Sequence, residues 1–271
     1  MSVIDLTRFE RITMERHPDF ARAQPYPHTV IDDFLPVDVA NQILDEFTKT
    51  NEGWNNYRHY NEDKKGLSKI ERMGPITQKV FGDLQSAPFI ALVGKLSGIG
   101  DLIPDPDLDG GGMHEIKRGG FLNVHTDFLS HTKNQNWSRQ INLLIYFNKD
   151  WQKEWNGELE LWDDDVTRCV TSIAPIFNRC VIFHTREKSF HGHPNKLACP
   201  SEISRKSFAL YYFRDEGKKQ ILSPTNYQAT PDDGPVRRAL IAVDRTAVRA
   251  YSFLKRYTRL SDNLIGRITK R

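Results

Sequence analysis

The chain has 271 residues, 38% of them hydrophobic and 11% aromatic, with charges of both signs mixed along most of its length. That is enough apolar material for a sizeable core and excludes a disordered or fibrous chain. The net charge of +3 conceals an asymmetry: residues 236–271 hold ten Lys/Arg against two Asp, or +8, which leaves −5 for residues 1–235.

"HTVIDDFLP" (28–36) predicts a short strand that ends where a proline starts a helix. Val37, Val39, Ala40, Ile43, Leu44 and Phe47 recur at helical spacing and extend that helix over 36–49. The polar stretch 50–67 predicts a loop, the apolar positions from Ile76 to Leu96 two helices broken near Pro88, and "PDPDLDGGG" (104–112) a turn. From Met113 the pattern changes to short alternating runs at 113–117, 121–127, 139–147, 158–162, 168–173, 179–184 and 205–213. Such runs at close spacing predict a β-sandwich or barrel, and a jelly roll fits the count best. After Asp232 the helical period returns through Leu240, Ile241, Val243, Ala247, Val248, Tyr251, Phe253 and Leu254, and Ser261 caps a last helix over 262–269. The expected architecture is mainly β with flanking helices (α+β). Residues 1–100 form a strand and helices packed on the core, 101–220 the jelly roll, and 230–271 a basic helical tail.

Cys169, Cys180 and Cys199 lack CxxC spacing, which suggests neither a disulfide framework nor a thiolate zinc site. The acidic residues near the start, and the lack of any apolar window approaching about 18 residues, make the cytoplasm the expected compartment.

Two stretches carry metal chemistry. "GGFLNVHTDF" (119–128) holds His125-x-Asp127, and on a strand residues two apart share a face, which brings an imidazole and a carboxylate to one ion. "FHTREKSFHGHP" (183–194) supplies His184, His191 and His193 as candidates for a second imidazole. Two histidines and one carboxylate favour non-haem Fe(II) with open coordination positions. Further on, "RKSFALYYF" (205–213) sets Arg205 and Ser207 on one strand face, a guanidinium fork and a hydroxyl suited to a carboxylate.

With these motifs, "LIYFNKDW" (144–151), "NGELELWD" (156–163) and "PHTVIDDFLP" (27–36) in order, the chain resembles the 2-oxoglutarate/Fe(II)-dependent dioxygenase superfamily, in its prolyl-4-hydroxylase-like branch. The resemblance runs from about Pro25 to Phe213 and implies a double-stranded β-helix core. It implies that His125, Asp127 and His191 bind the iron and that Arg205 and Ser207 hold the far carboxylate of 2-oxoglutarate. It also implies oxidative decarboxylation to succinate and CO2 with O2, hydroxylation of an unactivated C–H bond, and ascorbate as a reductant. Many such relatives carry a tyrosine where this chain has Ile116, so the cosubstrate pocket is expected to use another group there. An Asp at 127 argues for hydroxylation over halogenation.

The remaining polar residues divide. His184, at the end of an apolar run, is expected in the core or at its rim; His193 is expected near the substrate or behind the ligands. His114 and His131 are expected as exposed histidines near the mouth, with substrate contact as the alternative. Arg139 and Asn142 are candidates for lining the pocket, whereas Lys206 points the other way. Trp151, Trp155 and Trp162 are expected in the core, and the acids of "WDDD" (162–165) in solvent.

The tail admits a packed amphipathic helix, docking on an anionic membrane surface, or, third, nucleic acid, which is not expected because no base-reading motif accompanies the charge. A small-molecule substrate is favoured: an amino acid, a metabolite or a saccharide intermediate. A peptidyl-proline substrate and a non-catalytic metal- or 2-oxoglutarate-binding or sensing module are the alternatives.

Overall fold

A computed structural model describes residues 2–50, 52–220 and 224–257, with side chains to residue 246. In chain order the elements are α1 (Leu6–Phe20), β1 (His28–Ile31), α2 (Val37–Lys49), β2 (Asn55–His59), β3 (Glu62–Leu67), α3 (Pro75–Leu84), α4 (Ala87–Ser97) and β4 (Ile103–Pro104). Then come β5 (Gly112–Lys117), β6 (Phe121–Thr126), β7 (Trp137–Tyr146), β8 (Leu159–Trp162), β9 (Cys169–Ile173), β10 (Cys180–His184), β11 (His191–His193), β12 (Ser204–Asp215), β13 (Asn226–Tyr227) and α5 (Pro235–Tyr257).

The strands join one antiparallel sheet in the order β1-β10-β7-β12-β5-β3-β6-β11-β8-β9, curled as in a jelly roll. Its longest strand explains the apolar run "SFALYYF". On β12, Phe208, Leu210 and Tyr212 turn to one face with Ile141, Leu143 and Ile145 of β7, where they join the core formed with α1 to α4. The alternate residues Arg205, Ser207, Ala209 and Tyr211 turn to the other face and are buried as well. A strand buried on both faces loses the polar half of its alternation. On that inner face Tyr146, Val181 and Phe183 pack against Leu159, Leu161 and Ile173 of β8 and β9, which closes the curl.

The structure corrects the sequence reading at three places. Residues 50–67 are not a loop throughout: β2 and β3 form a hairpin there, and β3 pairs with both β5 and β6. All five residues of β2 are exposed, so no apolar period marked it. The break between α3 and α4 falls at Gln85 and Ser86, while Pro88 lies in the first turn of α4, where its missing N–H costs nothing. Helix α1 had no prediction, because only Phe9, Thr13 and Phe20 of it are buried. Asp5 caps it by accepting from the Arg8 amide, and Phe9 stacks on Phe89 with ring centroids 4.7 Å apart. The helix expected over 262–269 lies outside the described residues. Among the described residues, no helix is long and apolar enough to cross a membrane.

Candidate metal centre

β6 and β11 are neighbours, and their register puts His125 opposite His191, with ring centroids 4.5 Å apart. Asp127 follows one residue beyond β6. Its carboxylate approaches both rings, at 3.5 Å from Nε2 of His125 and 3.4 Å from Nε2 of His191. The three ligand atoms lie within 4.8 Å of one another, the only such metal-competent group among the described residues. Each imidazole is locked the same way. Nδ1 of His125 donates to the carbonyl of Asn123 at 2.8 Å, and Nδ1 of His191 to that of Ser189 at 2.9 Å. A backbone carbonyl can only accept, so both rings keep the proton on Nδ1 and turn a bare Nε2 to the centre.

The charges suit a divalent cation. Burial favours the neutral form of the His191 imidazole and lowers its pKa to about 4, partly offset by Asp127. Burial works to raise the Asp127 carboxyl, but Arg139, His191 and His125 overcome it and hold it well below the usual range. Asn142 donates to Oδ2 of Asp127 at 2.6 Å, and Nη2 of Arg139 lies 3.2 Å from the same oxygen, so the carboxylate is fixed from behind. Arg139 is itself clamped: Nε donates to Asn142 at 2.8 Å, and the guanidinium lies 3.2 Å from the Tyr211 ring centroid and 4.7 Å from that of Phe128. Two imidazoles and one ionised carboxylate, each held by an outer hydrogen bond, fit Fe(II).

Gly192 makes this register possible. A side chain there would come within 2.9 Å of the carbonyls of Leu122 and Asn123, so only glycine lets β11 lie against β6.

A second polar group sits deeper on the same inner face. Arg205 is buried, donates from Nε to the Gly157 carbonyl at 2.8 Å, and has its guanidinium 4.9 Å from the Tyr146 ring centroid. Register brings Ser207 opposite Tyr146 on one side and opposite His114 on the other. The Tyr146 hydroxyl is buried beside the Arg205 guanidinium, the one polar group that reaches it among the described residues. Gly157 has φ +92°, and a side chain there would press on Leu197 and Arg205. Ile116, opposite Arg205, joins Leu197 and Cys199 in an apolar cluster. The tyrosine beside Arg205 therefore stands on β7, at 146, and not at position 116. Tyr146 was missed although it lies inside the quoted "LIYFNKDW", because a strand tyrosine faces inward only half the time.

The other histidines separate clearly. His193 is 3% exposed, neither ring nitrogen has a partner, and Arg205, Lys64 and His125 surround it electrostatically. His114 is half-buried on β5, with its pKa lowered to about 3 by burial, then by Lys64 and Arg205. The expectation of an exposed His131 is overturned. It is fully buried, 3.4 Å from Asp105, with its other nitrogen accepting from the amides of Lys133 and Asn134. A histidine that spends both nitrogens on a loop serves that loop. His184 lies against Phe20 and Arg186, away from the centre. Lys206 points off the inner face, reaching the Ser204 carbonyl. Asp163 accepts from Thr167 and Arg168 as a turn device. Trp162 is buried, and Trp151 and Trp155 pack with the Ile116 cluster. Sequence reasoning also missed Lys64, half-buried on β3 and 3.0 Å from Glu62, and Tyr227, whose ring lies 5.4 Å from that of His125.

Comparison with known proteins agrees with this arrangement. Residues 111–213, which span β5 to β12, match the family described as the 2OG-Fe(II) oxygenase superfamily. Among solved structures, a prolyl hydroxylase of Trichoplax adhaerens, in complex with a peptide of a hypoxia inducible factor, is 18% identical with TM-score 0.54, over 78% of this chain and 93% of that one. A Pseudomonas putida prolyl-4-hydroxylase is 18% identical with TM-score 0.51, over 74% and 98% of the two chains. HygX of Streptomyces hygroscopicus, with nickel, 2-oxoglutarate and hygromycin B bound, is 12% identical with TM-score 0.50, over 74% and 86%. No curated protein sequence matches the chain. The chain carries a 2OG-Fe(II) oxygenase domain over residues 111–213, and its fold is that of the prolyl-4-hydroxylase-like branch. It is thus an enzyme that uses Fe(II) and 2-oxoglutarate.

Proposed function

We propose that the protein hydroxylates an unactivated C–H bond of a small polar molecule, releasing succinate and CO2. The observation that carries this reading is the convergence of His125, Asp127 and His191, with both Nδ1 atoms already committed to backbone carbonyls. In this reading those three residues hold Fe(II). Arg205, Ser207 and the Tyr146 hydroxyl hold the far carboxylate of 2-oxoglutarate, a charge-assisted set in which the buried phenol stands beside the guanidinium. The oxidant is O2: with Fe(II) and 2-oxoglutarate bound, one of its oxygen atoms would enter succinate and the other the substrate. The protein's own contribution is placement and dryness. Asn142 and Arg139 keep Asp127 oriented and ionised, and the stack of Tyr211 and Phe128 on Arg139 keeps that cation from turning away.

The polar substrate follows from what else faces the centre. The imidazole of His193 is buried with neither ring nitrogen hydrogen-bonded, an arrangement that favours a polar ligand able to pair with it. HygX, with hygromycin B bound, shares the fold with the Trichoplax adhaerens enzyme and its peptide, so the fold alone accommodates either substrate class. A cytoplasmic setting is part of the proposal.

The test is a screen of a metabolite pool by mass spectrometry for a product 16 Da heavier that appears only with iron and 2-oxoglutarate, with succinate measured in parallel. A product from the pool supports the reading. Oxidation of proline-containing peptides alone would move the substrate to peptidyl proline, and no succinate from anaerobically iron-loaded protein with any candidate would sink the enzyme reading.

A further inference from the structure

The segment after the jelly roll returns to the metal centre. β13 adds to the edge of β6 with Tyr227 opposite His125, and the Gln228 amide donates to the Val124 carbonyl at 2.9 Å. The first half of α5 then sends two side chains inward. Arg237, paired with Asp233 at 3.0 Å and lying over the Phe121 ring, donates to Oδ1 of Asn123. Asp244 accepts from Nδ2 of Asn61 at 3.0 Å. Asn61 lies in the turn between β2 and β3, and its Oδ1 accepts from Nδ2 of Asn123 at 3.0 Å. Both asparagines are buried, at 0% and 1% exposure. The carbonyl of Asn123 is the one that holds Nδ1 of His125.

Arg237 and Asp244 of α5 therefore grip the two ends of a buried pair of amides, and one of these, Asn123, stands on the strand whose backbone carbonyl holds the metal-facing imidazole. A buried amide with both ends engaged has one orientation, and removing a partner leaves an unsatisfied polar atom that costs on the order of 1–3 kcal/mol unless the group turns. The hairpin is the element most exposed to that change. β2 is wholly exposed, and on β3 only Gly66 and Leu67 are buried, so little apolar packing fixes the hairpin's tip. β3 is tied to the sheet by its pairing with β5 and β6, but β2 hangs on β3 alone among the described strands. Yet this hairpin carries Lys64, whose charge reaches His114, His193 and Asp127.

We propose that α5 is a latch: Arg237 and Asp244 are positioning residues that fix the β2–β3 hairpin and the His125 strand, so that the active site is complete only with α5 docked. Ile241, 2% exposed on the same helix, supplies the apolar contact that seats it. The proposal concerns the protein's own network and holds whatever the substrate is.

The test uses the full chain loaded with Mn(II), compared as wild type, Arg237→Ala, Asp244→Ala and Asp244→Asn. Hydrogen exchange across residues 55–67 should quicken about fivefold or more in both alanine variants while β7 and β12 stay at wild-type rates. Asp244→Asn, which keeps a carbonyl to accept from Asn61, should remain near wild type. The Mn(II) dissociation constant of Arg237→Ala should rise about threefold or more, because β6, which carries both Asn123 and His125, is no longer braced by α5. Wild-type exchange in the hairpin with only α5 loosened would overturn the latch, as would equal loosening of β7 and β12. Unchanged Mn(II) affinity would overturn the link to His125. Should Arg237→Ala fail to fold, the contrast between the two Asp244 variants decides.

Discussion

The metal corner and the cosubstrate corner of this site are built differently. At the metal corner the polar atoms already have protein partners: both Nδ1 atoms meet backbone carbonyls, and Oδ2 of Asp127 is held by Asn142 and Arg139. At the proposed cosubstrate corner both nitrogens of His193 are buried and unpartnered, and the buried Tyr146 hydroxyl has only Arg205 beside it. The first corner is preorganised by outer hydrogen bonds. The second relies on the ligand to complete its hydrogen bonding, so the two should respond differently to mutation.

The sharpest break is between His191 and His193. His191→Ala should weaken Fe(II) binding by more than about 100-fold and abolish succinate formation, whereas His193→Ala should leave the iron affinity close to wild type. Metal titration of both variants checks this, and the reverse outcome would move the ligand by two residues. Arg205→Ala should raise the KM for 2-oxoglutarate by about 100-fold, the loss of roughly 3 kcal/mol of charge-assisted bonding, with little change in metal affinity. Asn142→Ala acts on the other corner. It should cost about 10-fold in metal affinity, at the low end for outer hydrogen-bond partners, with a smaller effect on 2-oxoglutarate. Tyr146→Phe removes only the phenol oxygen and should raise the KM for 2-oxoglutarate about 10-fold, which steady-state succinate assays would read. A weaker metal and an unaltered KM in that variant would erase the distinction between the corners.

The smallest effect is on pH dependence in the metal-free protein. Burial depresses His114 to about 3 and His184 and His191 to about 4, below their usual 6.5. The unfolded chain therefore takes up protons on these rings below pH 6.5 while the folded chain does not, and stability should fall between about pH 6.5 and 4. Thermal melts of metal-free protein at pH 7.5 and 5 should show a lower Tm at the acidic pH. Metal bound at His125, Asp127 and His191 should raise both, and more at pH 7.5, because protons compete with it.

Much of the ligand set was legible because it is local in sequence. The spacing of His125 and Asp127 gives one strand face, and the same period-2 logic joins Arg205 to Ser207; both pairs point where that logic put them. The strands from β5 to β12, apart from the three-residue β11, were marked by short apolar runs. The β2–β3 hairpin was not, since its strands pair by backbone hydrogen bonds with almost no apolar face. His131 was misjudged for a related reason. A histidine in a polar stretch looks exposed until Asp105, 26 residues earlier, is brought to 3.4 Å from it.

The basic tail shows the limit most plainly. Charge and helical period determined that a helix begins after Asp232, but the binding role suggested by the charge rested on residues beyond the described side chains. What the tertiary structure decided is that the first half of that helix docks on the protein, through Ile241, Arg237 and Asp244. The sequence by itself determined the chemistry class, since ligand types at fixed spacing on one strand are a local property. Only the fold decided which tyrosine joins Arg205, which histidine is left unpartnered, and what lies over His125. Those depend on strand register between segments far apart in the chain, which no window of sequence contains.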